Sequence, residues 1–357
     1  MPWFRVRLNF RLGVVLVLVL TLVGCATVSY YSQAVGGHLS IWLKRRDIQK
    51  LINNPDTPPK LKKRLILVLS IRQYASHDLS LPDNYSFKSY VALNRKHVVW
   101  NVLAAPEFSV KPKRFCFPVV GCLSYKGYYS KKSAIKEANR LKYKGYDVAV
   151  GGVNAYSTLG YFSDPVLSTY VYWSEADLAG LLFHELAHQL IYLTGDTAFN
   201  ESFATAVEIE GVRRWMKKQG QPKKYEKFYR AKQYEDQFMR LILRTREKLK
   251  RVYASEQAAS KMRQAKKQVF AQLKADYQAL KKHWHGYTGY DYFMSRKLNN
   301  ADIAGAATYF EYVRAFQLLL KKHHGDFASF YQEVLLFGKL TIKQRHVKLK
   351  QIIAAAN

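Results

Sequence analysis

One five-residue stretch, His184-Glu185-Leu186-Ala187-His188, constrains this chain more than any other. It lies where the sequence independently predicts a helix. Ser174-Glu175-Ala176-Asp177 reads as a helix start, with a capping serine and an acid three residues on. Apolar spacing carries that helix to about Leu193, and Gly195 ends it. On a helix, residues four apart share a face. Two neutral imidazoles can therefore hold one Zn²⁺ without bending the backbone. Glu185, adjacent to the first imidazole, is placed to act as general base toward water at the metal.

Zinc used for hydrolysis needs a third protein ligand and a vacant position. Thr194-Gly195-Asp196-Thr197 predicts a turn, after which a second helix, from about Asn200 to Trp215, folds back on the first. Glu201 near its start then faces both histidines and completes the set. The alternative for Glu201 is a carboxylate favoured at that end by the helix dipole. Glu208, seven residues on and on the same face, either orients a ligand or lies exposed on the surface.

The first 24 residues read as an export signal. Arg5, Arg7 and Arg11 form a basic head, and Leu12 to Val23 is an apolar run too short to span a bilayer. It ends in Leu22-Val23-Gly24-Cys25, which looks like a bacterial lipobox with Cys25 as the lipidated residue. By resemblance to Gram-negative lipoproteins, Ala26 in place of Asp points to the outer membrane, with the protein facing the periplasm. The chain carries 57 Lys and Arg against 26 Asp and Glu, a net +31, and losing the three arginines with the signal leaves +28. Such a charge favours anionic partners. In an envelope this means a membrane reached through lipid anchor and basic surface, and no nucleic-acid partner is expected. Cys116 and Cys122 bracket a turn and could pair in an oxidising periplasm, the alternative being two buried thiols.

The rest of the chain divides into regions. Residues 25–110 read as mainly helical, with helices over Ile41–Ile52 and Leu61–Tyr74 and a strand at Val98–Leu103. Residues 111–216 form the core around the motif, with a helix over Lys131–Gly145, a strand over Val148–Leu159 and strong β character at Thr169–Trp173. Residues 217–290 read as a basic helical hairpin; positions 217–285 alone hold 20 Lys and Arg against 6 Asp and Glu. Residues 291–357 complete the core as helices. The class is α+β, mostly helical, with a small sheet beside the metal helix. Its edge strand near Asn154, Ala155, Tyr156 and Ser157 could pair with substrate backbone. Hydrophobic residues at 48% exclude a disordered chain.

The motif pair His184–His188 and Asn200-Glu201-Ser202-Phe203-Ala204 resembles the gluzincin metallopeptidases. More closely, the chain is similar to the bacterial family of putative aminopeptidases, often lipoproteins. Matching stretches include Tyr30–Ala34, Val99–Val102, Phe115–Pro118, Ala155–Gly160, Asp164-Pro165, Asp196–Glu201 and Asn299–Ala301. The resemblance implies a zinc peptidase acting on peptides, with a tyrosine hydroxyl assisting the oxyanion: Tyr309, or else Tyr156. One departure stands out. Gluzincin aminopeptidases read the substrate amine with a Glu upstream, and Gly151-Gly152-Val153-Asn154-Ala155-Tyr156 has none. Asp164 or Glu208 is the candidate replacement. The competing readings are an envelope endopeptidase and a non-catalytic basic lipoprotein whose zinc only staples two helices. His283, His285, His323 and His324 lie among lysines and read as surface residues.

Overall fold

The computed structural model describes residues 25–117, 121–155, 157–158, 160, 162–255, 257–305 and 311–356, with the backbone alone at 25–29. The signal segment, Tyr156 and Tyr309 lie outside the described residues.

The chain begins with α1 (Cys25–Leu43), β1 (Arg46–Asp47), α2 (Ile48–Asn53) and α3 (Pro59–His77). It continues with β2 (Ser89–Val91), β3 (Val99–Pro106), β4 (Phe115–Phe117), β5 (Gly121–Leu123) and β6 (Tyr125–Tyr128). Next come α4 (Lys131–Tyr143), β7 (Tyr146–Val153), β8 (Val166–Leu167), α5 (Glu175–Leu190) and α6 (Thr197–Lys218). Two long helices, α7 (Pro222–Tyr253) and α8 (Ala259–His283), precede α9 (Asp291–Ser295), α10 (Asn300–Gly305), α11 (Val313–Lys322), α12 (Phe327–Leu336) and α13 (Ile342–Ala354). The fold is mostly helical with small sheets, as α+β requires.

The main sheet has order β6-β3-β7, antiparallel throughout. Its central strand β3 comes before residue 110 and its two neighbours after, so the sheet joins the first two sequence regions. Val102, Ala104 and Val148 on one face bury against Ala134, Ala138 and Leu141 of α4. A second sheet, β1-β2-β8, is mixed, and β4 and β5 form a hairpin. Cys116 and Cys122 stand opposite each other in that hairpin and are joined as a disulfide. The largest core surrounds α5 and α6 and takes in α3, α11 and α12. A separate core lies between α7 and α8, built on Phe238, Leu241, Leu273 and Tyr277. No described helix is long and apolar enough to cross a membrane.

Three local expectations are corrected. The helix over Ile41–Ile52 is broken, because Arg46 pairs with Tyr90 and Asp47 caps a new helix, its carboxylate accepting from Lys50 N at 2.8 Å. A strand contact and a cap together replace helix continuation. Thr169–Trp173 is turn rather than strand: Val171 N bonds Leu167 O, and Trp173 N bonds Tyr170 O. Burial of Tyr170 and Val171 satisfies their apolar character, and Arg64 takes the Val171 and Trp173 carbonyls at 2.7 Å each. The strand over Val148–Leu159 runs instead from Tyr146 to Val153. Asn154 leaves the ladder because its side chain meets His97 Nδ1 at 2.6 Å and its carbonyl accepts from the Thr169 hydroxyl.

Candidate metal centre

The serine that caps α5 does so directly: Ser174 Oγ accepts from Asp177 N at 3.1 Å. Leu178, Leu182, Phe183 and Leu186 are completely buried, each contributing about 1.5–3 kcal/mol. That apolar face fixes the roll of the helix, and with it the direction of His184 and His188. The helix stops at Leu190, earlier than Leu193. The chain turns back through Gly195 at φ +85°, a conformation that favours glycine. Asp196 caps α6 by accepting from Phe199 N at 3.2 Å. Asn200 locks the turn: its Oδ1 accepts from Leu193 N at 2.8 Å and its Nδ2 donates to Leu193 O at 2.9 Å. These bonds set the first turn of α6, on which Glu201 rides.

The three side chains converge. His184 Nε2 and His188 Nε2 are 3.1 Å apart. Glu201 Oε2 is 3.4 Å from His184 Nε2, and Oε1 is 3.6 Å from His188 Nε2. One ligand atom from each lies within 4.8 Å of the others. A tetrahedral zinc with bonds near 2.0–2.1 Å separates its donors by about 3.3–3.4 Å, and the observed spacings bracket that value. Two nitrogens and a carboxylate oxygen also match the donor preference of zinc, so the residues fit the ion. Among the described residues this is the one group of His, Cys, Asp and Glu able to share a metal, and His283, His285, His323 and His324 form no other.

A further layer holds the ligands. Glu208, buried on α6, places Oε2 at 3.1 Å from His184 Nδ1, which sets that imidazole to donate at Nδ1, so that its neutral form carries the lone pair on Nε2. Its other oxygen accepts from Lys232 Nζ of α7 at 2.8 Å. Gly180 makes room for this approach, since a Cβ there would lie 3.1 Å from Glu208 Oε1. His188 Nδ1, by contrast, is buried with no hydrogen-bond partner.

Charge follows the same pattern. Burial works against a charged His184, but Glu201 and Glu208 outweigh it and raise the imidazole from its usual value to about 10. Burial opposes the ionised Glu208, yet Lys232 and His184 hold its carboxyl well below the usual range. Burial likewise opposes Glu201, and the two histidines hold it lower still. Glu185 goes the other way: burial, the largest cause, pushes its carboxyl up. A carboxylate so raised is a stronger base than a free one. A cavity of about 560 Å³ opens beside it, lined by Trp173, Asp177, Leu181, His184, Glu185 and Lys232 among others.

The remaining expected residues fall elsewhere. Asn154, Ala155 and Ser157 form no edge strand. Asn154 holds His97, Ala155 packs on the main core, and Ser157 Oγ donates to Asp164 Oδ2 at 3.0 Å. Asp164 also accepts from Thr158 N and Oγ1, so it anchors this loop. Gly160 at φ +83° lays the loop against Gln189, one residue past His188. Sequence reasoning missed Lys232, Tyr125 and Tyr192. The charge of Glu201 reaches both tyrosines, whose phenols are raised chiefly by burial and further by that carboxylate. Tyr192, four residues past His188 and just beyond the end of α5, was open to spacing arguments; Tyr125 on β6 carries no local signal.

No curated protein and no solved structure matches the chain. A family model does, over residues 29–349, a span that includes every side chain of the metal centre. The chain belongs to the family described as Putative aminopeptidase.

Proposed function

We propose that this protein is a zinc metallopeptidase of gluzincin type, lipid-anchored at Cys25 in the bacterial envelope, that removes residues from the amino ends of peptides. The observation that carries the reading is the meeting of His184, His188 and Glu201 within 4.8 Å, with Glu185 adjacent. The family description supports peptide hydrolysis.

His184, His188 and Glu201 would hold the zinc. The ion supplies Lewis acidity toward a peptide carbonyl and acidifies water. Glu185 takes the proton from the attacking water and later delivers it to the departing amine. Glu208 keeps His184 in the tautomer whose Nε2 can bind metal, and Lys232 keeps Glu208 ionised. Asn200 and Asp196 hold the turn that carries Glu201.

An endopeptidase is the second reading, and one observation favours it. An aminopeptidase of gluzincin type reads the free amine with a carboxylate. Asp164 is occupied by Ser157 and Thr158, and Glu208 by His184 and Lys232. Metal analysis of the purified protein, followed by parallel digestion of a peptide and its N-acetylated form, tests both readings. Zinc at one per chain with hydrolysis of the free peptide alone supports the aminopeptidase. Cleavage of both forms selects the endopeptidase, and bound zinc with no cleavage of either rejects hydrolysis.

A further inference from the structure

Helix α1 packs on one side only. Inward, Ile41 is buried, Tyr30 stacks on Phe117 with ring centres 5.2 Å apart, and Gln33 bonds Gly127 O and Tyr129 N of the β6 region. Outward, Val35 is 64% exposed, Leu39 48%, Trp42 48% and Leu43 68%. Spacings of four, three and one place these four within an arc of about 100° on the helix. A continuous stripe of large apolar side chains left in water marks a surface with a partner.

Two further observations identify that partner. Lys44, Arg45 and Arg46 follow the stripe at once, with Lys44 and Arg46 exposed and the Arg45 guanidinium lying 4.9 Å from the centre of the Trp42 ring. An apolar stripe with Trp in its last turn, followed at once by exposed cations, suits a helix lying in a membrane interface. Cys25 opens the same helix, eighteen residues before Leu43. Eighteen residues make five turns at 3.6 residues each, so Cys25 and Leu43 hold the same register position. A second copy of this chain is a poorer occupant, since each copy carries a net +28 once the signal is removed and like charge opposes their approach.

We propose that α1 lies along the surface of an anionic phospholipid bilayer, with Val35, Leu39, Trp42 and Leu43 among the acyl chains and Lys44 and Arg46 at the headgroups. The inference rests on the reading of Cys25 as the anchored residue for attachment, and on the helix itself for orientation. The same helix and the residue just past its end grip the loop beside α5: the His38 ring lies 5.2 Å from Phe162, and Arg45 Nη1 donates to Ser163 O at 2.9 Å. Seating α1 on the bilayer therefore sets how the metal centre is presented to the space above the membrane.

The test uses the full chain reconstituted into phosphatidylglycerol–phosphatidylethanolamine vesicles whose acyl chains carry bromine, a contact quencher of tryptophan. Emission of the wild type minus that of Trp42→Phe isolates Trp42. The expected difference spectrum is blue-shifted and quenched by brominated lipid, and the double variant Leu39→Glu, Leu43→Glu loses that quenching. A protein that sediments with the vesicles while Trp42 stays unquenched overturns the orientation and leaves the anchor standing. Failure to sediment overturns both. A dimer in lipid-free solution whose Trp42 is shielded from iodide assigns the stripe to a second copy instead. Peptide hydrolysis measured on the same samples is independent of all these outcomes.

Discussion

His184 and Glu208 meet at 3.1 Å, Nδ1 to Oε2, across the interface of α5 and α6, and the same carboxylate holds Lys232 at 2.8 Å. The His184 nitrogen that faces Glu201 is thus set by two residues outside the group of His184, His188 and Glu201. Glu208→Ala is expected to weaken zinc binding by about 10–100-fold. Competition against a chromogenic chelator measures it. An affinity equal to the wild type would show that the carboxylate only packs.

Glu185 stands outside the group of His184, His188 and Glu201, so its loss would separate metal binding from turnover. Glu185→Gln is expected to retain one zinc per chain and to lose about 10²–10⁴-fold in turnover. Metal content and kcat on a free peptide are the two measurements. Undiminished turnover in a zinc-loaded variant removes Glu185 from the mechanism.

Asp196 gives the fold an acid limit. It is buried and accepts from Arg345 Nε at 2.8 Å and His346 Nε2 at 2.9 Å. Burial opposes its charge, but hydrogen bonds from His346, Arg345 and the Phe199 amide hold its carboxyl below the usual 3.8. The unfolded chain therefore takes up its proton first as pH falls. The stabilisation is complete above the usual carboxylate range and is lost as pH drops through the lowered value. Asp196→Ala leaves Arg345 buried and unpaired, which costs about 3–5 kcal/mol. Urea denaturation should find that deficit at neutral pH and find it narrowing on acidification.

The disulfide contributes modestly. Cys116 and Cys122 are six positions apart, and closing so short a loop restrains the unfolded chain by about 2 kcal/mol. The double variant Cys116→Ser, Cys122→Ser should fold with a correspondingly lower denaturation midpoint and undiminished zinc content. Loss of zinc in that variant would reveal a coupling between the hairpin and the centre.

What the sequence made legible was local. Ser174, the apolar spacing and the two histidines all lie on one helix, so cap, face and ligands are decided within sixteen residues. Glu201 was reachable because a short turn leaves few ways for the next helix to return. Lys232 was not, since it arrives from α7 and only the packing of three helices brings it to Glu208. Strand reading failed at Tyr170 and Val171 because buried turns and buried strands share the same apolar residues. The break after Leu43 escaped notice for a related reason: its cause, Tyr90, is more than forty residues away.

The ion pair between Asp196 and Arg345 spans 149 residues of chain. The turn that presents Glu201 is therefore braced from far along the chain. Local packing on α5 is enough to place the two imidazoles, whereas their neighbour on α6 is steadied only once α13 has docked and brought Arg345 to Asp196. An order of assembly is thus written into one contact.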